Sequence, residues 1–150
     1  MELKFEGEVT ASLHPPRMVG NTPHGIRMFI EVGEGKLEGE RIKGRVLPGG
    51  GDWVLIGTDQ WARADVRVQF ETDDGAIIYA HFGGLIEMTD AVQTAFADGV
   101  PTAFEDQYFR VLPRLESGDP DYEWVNQTLF VGEGRFTEGF GLQYRFYRIT

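Results

Sequence analysis

Cysteine is absent from the 150-residue chain, which excludes disulfides, thiolate nucleophiles and cysteine-based zinc sites at once. Runs of lysine or arginine are absent too. With 24 acidic residues against 14 basic ones and a formal charge of -10, nothing supplies the basic stripe a phosphate backbone requires, so no nucleic-acid partner is expected. Nowhere do about 18 apolar residues run together, and the N-terminal MELKFEGEVT lacks a basic region ahead of an apolar core. A cytoplasmic protein without a membrane segment is the expectation. Helix-like composition is scarce: only residues 89–99, TDAVQTAFADG, carry it, with Thr89 or Asp90 to cap and Gly99 to stop a short helix.

Apolar and aromatic side chains are plentiful. Hydrophobic residues make up 41% and aromatics 13%, including 11 Phe, 5 Tyr and 3 Trp, a composition that folds. The length suits one core and not two, so residues 1–150 read as a single domain. The 20 Gly and 7 Pro are spaced so that apolar runs stay about one strand long. Leu3, Phe5 and Val9 alternate with Glu2, Lys4, Glu6 and Glu8 as a half-exposed strand. A second run, Ile26, Met28, Ile30 and Val32, is expected to end at Gly33, with a turn over residues 35–40 leading into 41–46. LPGGGDW, residues 47–53, reads as a tight corner.

The clearest hairpin spans residues 63–82, with Gly75 at the third position of a three-residue loop. That register sets Arg67 opposite His81, Val68 opposite Ala80 and Gln69 opposite Tyr79. Further strands are expected near residues 107–115, 123–131 and 139–149. Strands paired in sequence, with one helix and no βαβ spacing, predict an all-β fold: a closed antiparallel β-barrel, lipocalin-like in shape, with one short helix.

Several strings together resemble the domain-of-unknown-function 3237 family, small bacterial and fungal β-barrel proteins. The likeness rests on Gly25-Ile26-Arg27, Gly39 and Gly44, LPGGGDW, Asp65-Val66-Arg67, Thr72-Asp73-Asp74-Gly75-Ala76, Tyr108-Phe109-Arg110, Trp124-Val125-Asn126 and Phe130-Val131-Gly132. Val68 and Val125 depart from it, where an aromatic and a leucine are usual. The resemblance implies a barrel with a ligand-sized lumen. Relatives encoded beside aromatic and polyketide metabolism genes imply cofactor-free lyase, hydratase, isomerase or cyclase chemistry.

Candidate site residues share strand parity. Asp65 and Arg67, Tyr108 and Arg110, and Trp124 and Asn126 each lie on one face of an expected strand. Turned into a lumen, Asp65 or His81 would exchange a proton, Arg67 would orient the acid, and Tyr108 and Arg110 would bind a substrate oxygen. Asp52, Trp53, Trp124 and Asn126 would shape the pocket. Turned outward, the same polar residues are surface ion pairs or a contact in a homo-oligomer, and Val66, Val68, Phe70, Phe109 and Val111 fill the core. Both orientations fit the pattern, because barrels with pockets often bury both strand faces.

The remaining motifs point to structure. His14, His24 and His81 lack metal-site spacing, and Ser12 and Ser117 lack a nucleophile elbow. Asp73-Asp74-Gly75 is a turn, not a calcium loop, and GGGDW is not followed by the Lys-Ser/Thr of a phosphate cradle. Asp52 also reads as an Asx-type turn residue, and Phe140, Tyr144 and Phe146 as core packing. No metal or cofactor is expected. The function that follows is binding of a small aromatic, enone or polyketide-like molecule, with acid–base catalysis on it; a non-catalytic binding barrel or an oligomerisation module is the alternative.

Overall fold

The chain runs β1 (Leu3–Leu13), β2 (Arg17–Thr22), β3 (Gly25–Gly39), β4 (Lys43–Val46), β5 (Gly51–Ile56), β6 (Trp61–Thr72), β7 (Ile77–Glu87), α1 (Asp90–Asp98), β8 (Phe109–Glu116), β9 (Phe130–Thr137) and β10 (Gly141–Ile149). Two 3₁₀ helices, Phe104–Asp106 and Pro120–Gln127, complete it. The computed structural model describes residues 1–150. All pairings are antiparallel: the sheet runs β1-β10-β9-β8-β7-β6-β4-β3-β2, β5 also bridges β6 and β3, and β1 bonds both β10 and β3, which closes an eight-stranded barrel. The all-β barrel with one short α-helix is the architecture the turn spacing predicts.

The 15-residue β3 takes two neighbours on each edge. β1 and β2 lie end to end along one edge, β4 and β5 along the other. The expected stop at Gly33 does not occur. A Cβ on Gly35 would meet the Ala11 Cβ and a Val46 methyl at 2.8 Å, so this glycine permits close strand approach and breaks nothing. The turn falls instead at residues 40–42. LPGGGDW is a corner only over residues 47–50, where Gly49 takes a φ of 97°. Gly51, Asp52 and Trp53 already belong to β5, between β3 and β6.

The β6–β7 hairpin has the expected register, Arg67 opposite His81 and Val68 opposite Ala80, with Gly75 at φ 93°. Helix α1 also matches: Thr89 Oγ1 accepts from the Val92 amide at 3.2 Å, and Gly99 is left-handed. Of the expected strand at 123–131 only Phe130 and Val131 are in a strand, at the start of β9, and most of the rest is instead the 3₁₀ helix 120–127. Asp119 caps it through the Asp121 amide and Pro120 supplies its first position, a start signal stronger than the alternation that follows.

Alternate residues of the strands fill the interior; on β6, Val66, Val68 and Phe70 point in and Asp65, Arg67 and Gln69 point out. In β1 a bulge between Phe5 and Gly7 reverses the parity read from sequence. Leu3 and Phe5 are exposed, while Glu6 is buried between Arg41 and Arg148. The two barrel ends are sealed differently. At the Phe136 end of β9, Phe96 of α1 packs on Phe136, ring centroids 4.9 Å apart. At the Phe130 end, Trp124 of the 3₁₀ helix packs on Phe130, and the Arg41 guanidinium stacks 3.8 Å from the Trp124 ring. No helix is long and apolar enough to cross a membrane.

Candidate functional site

A cavity of about 80 Å³ lies inside the barrel. It is lined by 25 residues, 23 of them hydrophobic, and Asp52 is the only one that carries a charge. β5 places it there: Gly51 and Asp52 pair with Arg67 and Val66, pairing lapses at Trp53 and Val54, and it resumes at Leu55 opposite Arg63. Within the lapse the Asp65 amide donates to Asp52 Oδ1 at 2.9 Å. The carboxylate thus takes the place of a ladder carbonyl, while its Oδ2 receives no hydrogen bond from the protein. Burial pushes the Asp52 carboxyl up to about 6; the Asp65 amide bond works against this and the Asp65 charge adds to it.

Tyr144 shares the lumen. Its ring packs edge-on against Phe82 at 5.6 Å and Phe109 at 5.4 Å. Space for both rings comes from Gly134 on β9, where a Cβ would lie 2.9 Å from Phe109 and from Tyr144. Burial holds the Tyr144 hydroxyl far above the ordinary phenol range, and the nearby Asp52 charge adds to the shift. Like Asp52 Oδ2, the hydroxyl has no hydrogen-bond partner in the protein, and both residues line the cavity. Two partnerless polar groups, one acceptor and one donor, therefore face an otherwise apolar space.

The residues selected by strand parity lie elsewhere. Asp65, Arg67 and His81 project from the outer surface of β6 and β7, with His81 Nε2 3.1 Å from Asp65 Oδ1 and the Asp65 side chain 54% exposed. Tyr108 is exposed beside Trp61, and the Arg110 guanidinium sits 5.1 Å from the Tyr108 ring and 3.9 Å from Glu133. The outward orientation therefore holds, because the apolar residues of the same strands occupy the core. Trp53 is also outside, its ring tilted against Phe29 with centroids 4.6 Å apart. Trp124 and Asn126 lie on the 3₁₀ helix, not on a strand. Asn126 is a clip, accepting from the Ser117 amide and donating to the Ser117 carbonyl at 2.9 Å each.

Of the nine residues proposed from sequence, only Asp52 reaches the lumen. In sequence Tyr144 reads as core packing, because its spacing with Phe140 and Phe146 gives no sign that its hydroxyl lacks a partner. No three His, Asp or Glu side chains converge as a metal-binding group.

Fold and site together define a small antiparallel barrel whose apolar lumen holds one ionisable carboxyl. The chain belongs to the DUF3237 family: the family model described as "Protein of unknown function (DUF3237)" matches residues 1–149. A UPF0311 protein of Rhodopseudomonas palustris is 34% identical over 132 residues, covering 88% of this chain and 86% of the relative. Its crystal structure superposes with a TM-score of 0.88 at 31% identity, over 99% of this chain and 97% of that one. A β-barrel-like protein of Acinetobacter baumannii gives 0.82 at 28% identity, over 99% and 96%. An enzyme from Penicillium herquei gives 0.70 at 19% identity, over 99% and 94%, a likeness of fold alone.

Proposed function

We propose that the barrel binds a compact, mainly apolar molecule carrying one oxygen function, with Asp52 and Tyr144 as its polar anchors. The observation that carries this reading is that the two polar residues lining an otherwise apolar lumen, Asp52 and Tyr144, each keep a polar atom without a partner in the protein and so free for a ligand. The cavity is smaller than the roughly 150 Å³ known to admit benzene, so a ring-sized ligand has to displace half-buried side chains. Phe96, Leu13 and Leu142 line the lumen toward α1 and are such side chains. The end beside Glu6 is held by ion pairs, which favours ligand passage at the α1 end.

Phenol and toluene, equal in shape, test the anchors by calorimetric titration. Phenol is expected to bind about tenfold tighter, and Asp52→Val to erase that preference. Equal affinity in the unmodified protein would remove the anchors from the proposal.

Acid–base catalysis is a second reading, favoured by the buried carboxyl and by the description of the Penicillium neighbour as an enzyme, although a shared fold transfers no reaction. The proton carrier would then be Asp52, because Asp65, His81, Arg67, Tyr108 and Arg110 cannot reach a molecule in the lumen.

A further inference from the structure

We propose that Asp52 and Tyr144 form a proton-transfer pair that shifts a carbon–carbon double bond toward a ligand's carbonyl group, so that the barrel acts as an isomerase of small unsaturated ketones. This rests on the lumen-binding reading above and names its substrate class.

The geometry supplies what such a reaction needs and little else. Asp52 lines the cavity and is held by the Asp65 amide on Oδ1, which fixes the carboxylate and leaves Oδ2, without a hydrogen-bond partner, to act as the base. The Tyr144 hydroxyl, unpaired within the protein, is placed to donate to an oxygen. The rest of the lining is hydrophobic, so a ketone admitted to the lumen would turn its carbonyl to Tyr144 and an adjacent carbon to Asp52.

In the first step the carboxylate removes a proton from the carbon between the carbonyl and the double bond. The C–H electron pair moves into a new carbon–carbon double bond, and the carbonyl π pair moves onto oxygen, where the Tyr144 O–H stabilises the dienolate. In the second step the Asp52 carboxylic acid returns the proton to the far alkene carbon. The carbonyl re-forms, the double bond becomes conjugated, and Asp52 is again ionised. Atoms and electrons balance with no external oxidant, reductant or co-reactant.

Titration of both groups fits these roles. A carboxyl at about 6 is a stronger base than an ordinary aspartate and still ionised at neutral pH, while the Tyr144 phenol stays protonated and able to donate. The ionisable groups facing Asp52 are Asp65 on β6 and Tyr144 on β10; the rest of the lining carries no charge.

Allyl methyl ketone, about the size of benzene, enters by displacing the same half-buried side chains as phenol; its conversion to the conjugated isomer is followed by proton NMR, with calorimetry of the same mixtures to read binding. The full chain is expected to convert it faster than acetate at equal concentration, with a rate that rises with pH through about 6. Asp52→Asn should lose on the order of a hundredfold or more in rate while still binding the ketone, and Tyr144→Phe about tenfold or more. Binding without conversion, or conversion that survives in Asp52→Asn, overturns the proton-transfer proposal and leaves the binding barrel intact. No binding of the ketone or of phenol overturns both.

Discussion

Asp52 has an environment that disfavours its charge, and that has a measurable consequence for stability. Burial pushes its folded carboxyl up to about 6 from an ordinary 3.8, so the folded state binds the proton more tightly than the unfolded chain. Stability therefore falls as pH rises from about 4 to 6 and stays at the lower level above that range. Asp52→Asn keeps an acceptor for the Asp65 amide and removes the buried charge. It is expected to raise unfolding free energy by up to about 3 kcal/mol at pH 7 and by little at pH 4, read by urea denaturation at both values. A destabilising effect at pH 7 would mean that the carboxylate is compensated within the fold.

At this scale the sequence was only half legible. Parity correctly grouped Asp65 with Arg67 and separated both from Val66 and Val68, but parity does not say which face is inside. Asp52 reads both as a pocket residue and as an Asx-type turn residue, since three glycines precede it. A strand beginning at Gly51 is a consequence of long-range pairing with β3 and β6, which a local reading of glycines does not contain.

Among the elements, β1 and β9 carry the least obvious features. The β1 bulge buries Glu6, whose carboxylate accepts from Arg41 at 2.8 and 2.6 Å and from Arg148 at 2.8 Å, joining β1 and β10 to the turn after β3. Burial raises the Glu6 proton affinity, but both arginines together bring it below the ordinary carboxylate range. The clamp is thus fully present above that range and is lost as pH falls through the lowered value. Glu6→Ala is expected to cost about 1–3 kcal/mol at neutral pH, less than for a fully buried pair because both arginines reach water, and to cost little in strong acid. Thermal melts at the two pH values check it.

On β9, Gly134→Ala drives a methyl into Phe109 and Tyr144. A loss of about 1–3 kcal/mol in stability and weaker phenol binding are expected together, by denaturation and calorimetry. The hairpin of β6 and β7 and helix α1 were legible because turn and cap chemistry is local. The β1 bulge was not, since an unbroken alternation of Leu3, Phe5 and Val9 conceals it.

The whole molecule is a tube with unlike ends. Ion pairs and the Trp124–Arg41 stack close one, and side-chain packing from a single short helix closes the other. Phe96→Ala should therefore widen the α1 end and speed phenol association by stopped-flow with the fold retained, whereas an unchanged rate would place the route elsewhere. The outer surface, with Asp65, Arg67 and His81 in a row, competes with this interior as the place where a small molecule binds.

Methyl NMR of the intact protein titrated with phenol separates the two surfaces. Val66, Val68 and Val111 line the lumen, while Leu85 and Leu112 are exposed on the outside of the same sheet. Saturable shifts of the three valines, with both leucines unmoved, are the expected result. Shifts confined to Leu85 and Leu112 would contradict a lumen site and return the function to the outer face.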